Sequence, residues 1–256
     1  MNAGAPVLEV RDLTKSYGGV RAVDGVSFDV AAGELLALIG PNGAGKSTCF
    51  NIVNGQLRPD AGAVRLGGRV ITGLPPRRIA ALGVGRTFQV AAVFGSMTAA
   101  QNVQTALAAA RGGTFDLWRP ARRLGREQAL DLLAQTGMAA QADRPASTLA
   151  YGDVKRLELA MALAGEPRLL LMDEPTAGMA GTERREMIAL VQALTRARGL
   201  AVLFTEHSMD VVFGHADRVI VLARGRLIAN GGVDEVRRDP LVREVYLGGA
   251  PTEARP

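Results

Sequence analysis

The chain has 256 residues, 48% of them apolar and 21% charged, which is the composition of a globular protein long enough to bury a sizeable core. A net charge of +5 permits an anionic partner without choosing among nucleotide, lipid headgroups and nucleic acid. The single cysteine, Cys49, excludes an internal disulfide, and the start of the chain lacks the basic-then-apolar pattern of a secretion signal.

In chain order, Val7-Leu8-Glu9-Val10 and Val26-Ser27-Phe28-Asp29-Val30 alternate as half-buried strands do. Between them, Ser16-Tyr17-Gly18-Gly19 is a turn carrying one of the three tyrosines. Leu35-Leu36-Ala37-Leu38-Ile39 is a continuous apolar run, the pattern of a buried strand, and a helix is expected over Cys49 to Val53. Ala63 to Val70, with Gly67-Gly68 inside, predicts a hairpin, and Pro75 to Ala80 a short helix entered through proline.

From Ala91 to about Ala146 alanine becomes frequent and β-branched residues thin out, with helices expected over Ala99 to Ala110 and Arg126 to Gln135. Arg119, Arg122, Arg123 and Arg126 cluster near Trp118; such a charge run is read as a solvated helix face, with contact to headgroups or a partner loop as the sharper alternative. The uncharged run Thr87 to Ala110 is interrupted by Gln89, Gly95, Gln101, Asn102 and Gln104, which argues against a membrane span.

After Gly152 the α/β texture returns, with a helix over Val154 to Ala164 and a buried strand over Leu169 to Met172. An amphipathic helix over Thr182 to Arg198, closed by Gly199, follows, then a strand over Ala201 to Phe204. Val219 to Leu222 and Leu227 to Ala229 flank Arg224-Gly225 as a hairpin, and the tail past Gly248 is polar. Apolar strands alternating with helices predict a mostly parallel core sheet, interrupted by a helical insertion.

The chemistry centres on Gly40-Pro41-Asn42-Gly43-Ala44-Gly45-Lys46-Ser47-Thr48, which fits the phosphate-binding loop G-x-x-x-x-G-K-[ST] between a buried strand and a helix. Its glycines let backbone N–H groups face a phosphate, and the helix start adds partial positive charge. Lys46 would reach the β- and γ-phosphates and Ser47 would bind Mg²⁺. Asp173 emerges from a buried strand, where a carboxylate holds Mg²⁺. Glu174 is expected on the opposite side of that strand, facing the γ-phosphate as the base for water. His207, at the end of another apolar strand, can hydrogen-bond the γ-phosphate, whereas His215 has no such context. Gln89, at the edge of the insertion, can touch Mg²⁺ or its water. Cys49 is expected to be a packed thiol.

Leu149-Ala150-Tyr151-Gly152-Asp153 leads into the helix from Val154, and with this stretch the chain resembles the ATP-binding subunits of ABC transporters from about Leu8 to Gly248. The family's motifs occur in the family's order: an aromatic at Tyr17, the phosphate loop, Gln89, the signature stretch, Asp173-Glu174 and His207. The runs Gly85 to Gln89, Val93 to Thr98, Glu174 to Met179, Glu206 to Asp210 and Asp239 to Gly248 are similar to the branched-chain amino acid importer ATPases.

The resemblance implies a P-loop ABC ATPase fold: a mostly parallel core sheet, an N-terminal antiparallel β part and a helical subdomain. It implies one ATP-binding domain over residues 1–256, with the ATPase core at about 1–90 and 153–248 and the helical subdomain with its signature loop at about 91–152. It further implies ATP and Mg²⁺ as cofactors, Tyr17 stacked on adenine, and Ala150 and Gly152 capping the γ-phosphate of an opposite subunit. The implied partners are integral membrane permeases, a second ABC ATPase or a second copy, and indirectly a periplasmic or extracellular solute-binding protein, with no nucleic acid. The implied location is peripheral, on the cytoplasmic face of the inner membrane.

Two departures stand out: Ala150 where the signature usually has serine, and Ala180 where the loop after Asp173-Glu174 commonly has aspartate. The rival reading is a soluble ABC ATPase acting on ribosomes or DNA. Its support is the basic cluster near Trp118, and the second ATPase half or long coiled coil usual in such proteins is missing. A small-molecule kinase with the same loop is a third reading, opposed by the signature and by His207.

Overall fold

The computed structural model describes residues 5–87, 92–111 and 125–247. Gln89, Trp118, Arg119, Arg122, Arg123 and the tail from Gly248 lie outside the described residues.

β1 (Leu8–Tyr17) and β2 (Val20–Val30) are longer than the alternation in sequence suggests, and they meet at Gly18-Gly19. Both glycines have positive φ (52° and 88°), as a tight hairpin turn between twisted strands requires. β4 (Ala61–Leu66) and β5 (Arg69–Val70) form the expected second hairpin, and the sheet runs β2-β1-β4-β5, all antiparallel. Between β3 (Leu35–Ile39) and β4 lies α1 (Lys46–Val53), which begins three residues earlier than the apolar pattern indicates.

Among the described residues the second sheet has six strands, in the order β10-β9-β3-β8-β7-β6. They are β6 (Val84–Thr87), β7 (Leu169–Asp173), β8 (Ala201–Thr205), β9 (Arg218–Ala223) and β10 (Arg226–Gly232), with β3 near the centre. All pairs are parallel except the β9–β10 edge hairpin. The pleat divides the interior in two. Leu35, Ala37 and Ile39 of β3, with Leu170, Met172, Val202, Phe204, Val219 and Val221, face one core. Their neighbours Leu36, Leu38, Leu169, Leu171, Ala201, Leu203, Ile220 and Leu222 face the other. Continuous apolar runs are what a sheet buried on both faces requires, and each fully buried leucine contributes about 1.5–3 kcal/mol.

The antiparallel sheet and α1 cover the second face through Leu8, Val10, Phe28, Phe50 and Val53. The first face is covered by helices. α3 (Ala99–Ala110) opens with a capping box between Thr98 and Gln101. It packs on α4 (Arg126–Gln135) and α5 (Tyr151–Leu163), and α6 (Gly181–Arg198) ends at Gly199 with φ 63°. Proline precedes and starts α2 (Pro76–Ala81).

α5 starts at Tyr151 rather than Val154, with Ala150 as its N-cap residue in extended backbone. Three short helices were not expected from the pattern: α7 (Met209–His215), α8 (Val233–Arg238) and α9 (Pro240–Leu247). Each buries only one or two apolar positions, such as Val211 and Val212, Val236, or Val242. No helix among the described residues is long and apolar enough to cross a membrane.

Candidate nucleotide-binding site

Parallel strands carry ligand sites at their carboxyl ends. Here β3, β8 and β7 end side by side: Thr205 of β8 is in register with Leu38 on one side and Asp173 on the other. The chain then leaves β3 through residues 40–48. Gly43 and Gly45 have φ of 79° and 106°, a region that side-chain-bearing residues rarely adopt. A Cβ on Gly45 would also run into the Ala22 carbonyl oxygen. Gly45 caps α1 without a side chain, so the first-turn N–H groups stay open to an anion. Pro41, Asn42 and Gly43 are exposed, Ala44 is buried, Ser47 is exposed and Thr48 is half-buried.

Lys46 is buried and curls back over the loop, donating from Nζ to the Gly40 carbonyl at 2.6 Å and the Pro41 carbonyl at 3.1 Å. Burial holds its pKa below the ordinary value, against the raising pull of Glu174 and Asp173. Those two carboxylates and the lysine therefore share one electrostatic environment.

Thr205 orders the acidic pair. Its Oγ1 donates to Asp173 Oδ1 at 2.7 Å and accepts from the Glu174 backbone N–H at 3.0 Å. The Arg86 guanidinium, at the end of β6, stands 4.0 Å from Asp173 Oδ2 and donates to Gln56 Oε1 at 2.8 Å. Burial lowers the Arg86 pKa and Asp173 opposes that shift. Glu174 lies past the end of β7 with φ 49°, so a turn rather than the strand pleat sets its direction. Its Oε1 accepts from His207 Nε2 at 2.9 Å, which places the histidine on the glutamate rather than free at the sheet edge. His215 has its pKa lowered by burial, and its carbonyl accepts from Gln192 at 2.8 Å.

Tyr17 is 49% exposed at the tip of the first hairpin, with Lys15 Nζ 5.9 Å from its ring centroid. Ala150 and Gly152 sit at the start of α5, where no side chain caps the backbone N–H groups. The adjacent Tyr151 ring lies against Gly178, close enough that a Cβ there would sit 3.3 Å from it. Arg126 pairs with Asp143 at 2.8 Å. Cys49 is fully buried and its thiol is pushed up to about 12 by burial, as a packed side chain would be.

Thr205, Arg86 and Glu206 were given no role by the sequence. Thr205 closes an apolar strand and Glu206 precedes His207, so adjacency to the acidic and histidine ends was the available signal. Among the described residues no three of His, Cys, Asp and Glu cluster as a metal cage. The oxygen donors of Ser47 and Asp173 fit Mg²⁺, which keeps waters and uses substrate phosphates for its remaining positions.

A phosphate loop after β3, an acidic pair at the end of β7 and a histidine just past β8, the strand between them, define a P-loop nucleotide-binding protein with a helical layer and an added antiparallel sheet. Comparison with known proteins narrows this. Residues 23–177 match the ABC transporter family profile, and residues 226–251 match that of the branched-chain amino acid ATP-binding cassette transporter. The chain belongs to the ABC transporter ATP-binding family.

It is 40% identical over 252 residues to the high-affinity branched-chain amino acid transport ATP-binding protein LivG of Salmonella typhimurium, covering 96% of this chain and 99% of that one. BraF of Pseudomonas aeruginosa, with the same transport description, is 38% identical over the same shares. The lipopolysaccharide export ATP-binding protein LptB of Acidithiobacillus ferridurans is 39% identical, covering 94% of this chain and 97% of its own. Among solved structures, the ADP conformation of MJ1267, an ATP-binding cassette of an ABC transporter, superposes with a TM-score of 0.85 at 32% identity, covering 96% of this chain and 100% of that one. A nucleotide-free cassette gives 0.84 at 32%, covering 95% and 100%.

Proposed function

We propose that this chain is the ATP-hydrolysing subunit of an importer for branched-chain or related amino acids. The hydrolytic part rests on the Asp173–Thr205–Glu174–His207 arrangement beside Lys46. The solute class rests on the match of residues 226–251, because overall identity to LivG and to LptB differs by a single per cent. An export role alongside lipopolysaccharide machinery is the second reading that this near-equality supports.

In the proposed cycle Tyr17 packs on adenine and the loop of residues 40–48 takes the phosphate oxygens on its backbone N–H groups, which Pro41 alone lacks. Lys46 exchanges the Gly40 and Pro41 carbonyls for β- and γ-phosphate oxygens, a swap of neutral acceptors for charged ones. Ser47, Asp173 and Gln89 would hold Mg²⁺, which supplies charge neutralisation at the phosphates. Glu174 accepts a proton from the attacking water as the new P–O bond forms and the bond to ADP breaks. His207, hydrogen-bonded to Glu174 here, turns to the γ-phosphate and releases the carboxylate to take that proton.

Two ATPase subunits close head to tail. Ala150 and Gly152 of one cap the nucleotide of the other, and the N-terminus of α5 supplies donors where Ala150 lacks a hydroxyl. The helical part, about residues 91–152, meets permease subunits that hold the protein on the cytoplasmic face of the inner membrane. A periplasmic or extracellular binding protein delivers the solute from the other side.

The test is Glu174→Gln with gentle extraction of tagged protein from native membranes. The variant binds ATP, stays closed as a dimer and turns over at least about 100-fold more slowly, within the range for loss of a general base. Two integral membrane proteins and an ATPase partner co-purify. Undiminished hydrolysis removes Glu174 from the role, and ribosomal or DNA-bound partners overturn the transport reading.

A further inference from the structure

Glu206 is a buried carboxylate that the cycle above does not use. It joins two loops. Its Oε1 accepts from the backbone N–H of Thr176 at 3.1 Å and from the Thr176 hydroxyl. Its Oε2 accepts from the backbone N–H of His207 at 3.0 Å and of Ser208 at 3.3 Å. The four donors come from chain segments thirty residues apart, and Thr176 is itself buried. A buried charge is costly unless its oxygens are satisfied, so the glutamate holds both loops in one arrangement.

The Thr176 loop is held by two further hydrogen bonds. The Met179 N–H donates to the Thr176 carbonyl at 3.1 Å, and Arg184 donates to the Met179 carbonyl at 3.1 Å. Gly178 in the same loop carries the Tyr151 ring against it, at the head of α5. A continuous set of contacts thus runs from His207 through Glu206, Thr176 and Gly178 to the signature stretch. A cavity of about 260 Å³ bordered by Glu174, Ala177, Arg184, His207 and Ser208 gives the histidine segment room to shift.

We propose that Glu206 is a positioning residue that latches the His207 segment to the loop 175–180, so that a change at the γ-phosphate is passed to this chain's own signature stretch. This rests on the cycle proposed above, in which His207 meets the γ-phosphate in one site while the signature serves the other. The latch uses no carboxylate at position 180, which is how a chain with Ala180 retains the connection.

The test combines hydrogen exchange on the nucleotide-free full-length chain with steady-state ATP hydrolysis, for Glu206→Gln and the milder Thr176→Val. The first substitution retains one acceptor oxygen but places an amide against N–H donors, and the second removes the hydroxyl alone. Both variants are expected to raise exchange in residues 176–180 and 207–210 together, by about 10-fold or more in Glu206→Gln, which loses a charged buried acceptor, and by a smaller factor in Thr176→Val, which loses one donor to it. They lower kcat by about 10-fold while the KM for ATP stays within about two-fold, because no phosphate-binding group changes. Thr176→Ser restores parental exchange and kcat. If Glu206→Gln loosens only residues 207–210 while 176–180 exchange as in the parent, there is no latch. Unchanged kcat in both variants likewise overturns it. Continued turnover of Glu174→Gln would sink the hydrolytic reading alone, since coupled exchange is read without nucleotide.

Discussion

Thr205→Val removes one hydroxyl from the centre of the site and leaves a side chain of nearly the same shape. Thr205 is 1% exposed, so no water replaces the lost group. Asp173 Oδ1 loses a 2.7 Å charge-assisted bond, and the Glu174 N–H loses its acceptor at 3.0 Å. The first loss costs about 1.5–3 kcal/mol and the second about 1–2, while the added methyl returns roughly 0.8. The net expectation is a destabilisation of about 2–4 kcal/mol. Glu174 also sits at φ 49°, a strained conformation that the Thr205 bond helps to hold, so the acidic pair should loosen before the sheet does. Urea unfolding of Thr205→Val and Thr205→Ser, with Mg²⁺-dependent ATP hydrolysis on the same preparations, measures both effects. Serine should stay within about 1 kcal/mol of the parent and keep most of its activity, while valine loses activity by about 10-fold or more. Equal behaviour of the two variants would refute the reasoning, because it would show that the hydroxyl orders nothing.

Other outcomes follow from the same geometry. Gly45→Ala meets both a φ of 106° and the Ala22 carbonyl, whereas Gly43→Ala meets only a φ of 79° in open space. Alanine at Gly43 should cost about 1 kcal/mol and at Gly45 at least about twice that, read by urea unfolding. The buried Cys49 thiol should resist alkylation at pH 8.5 in the folded chain and react at once in denaturant. Its pKa of about 12 also means that the folded state keeps a proton that the unfolded state gives up above pH 9.0. Stability should therefore fall as pH rises above that point, by up to about 1.4 kcal/mol per unit relative to Cys49→Ala. Equal slopes for the two proteins would show that the thiol is hydrated.

The sequence carried the parallel strands because burial on both faces leaves an unbroken apolar run, as in Leu35 to Ile39 or Leu169 to Met172. It also carried the phosphate loop, whose glycines and lysine have a fixed spacing. It missed α7, α8 and α9, since a helix of six to eight residues with one or two buried positions shows no period. It placed the start of α5 late because Tyr151 and Gly152 lack a capping side chain and a helical apolar pattern. Glu174 was expected to follow the pleat of β7, but the strand ends at Asp173 and a left-handed residue redirects the chain. Thr205 and Glu206 act through residues brought near by folding, about thirty positions away in sequence. No local pattern encodes such a partnership.

The most direct test of the import reading is uptake of radiolabelled leucine by cells lacking this chain. Complementation would use the parent or Glu174→Gln at equal expression. The account predicts that uptake at low external leucine is lost on deletion, returns with the parent and does not return with the variant. Undiminished leucine uptake in the deletion, with a defect in lipopolysaccharide at the cell surface instead, would contradict import and favour export.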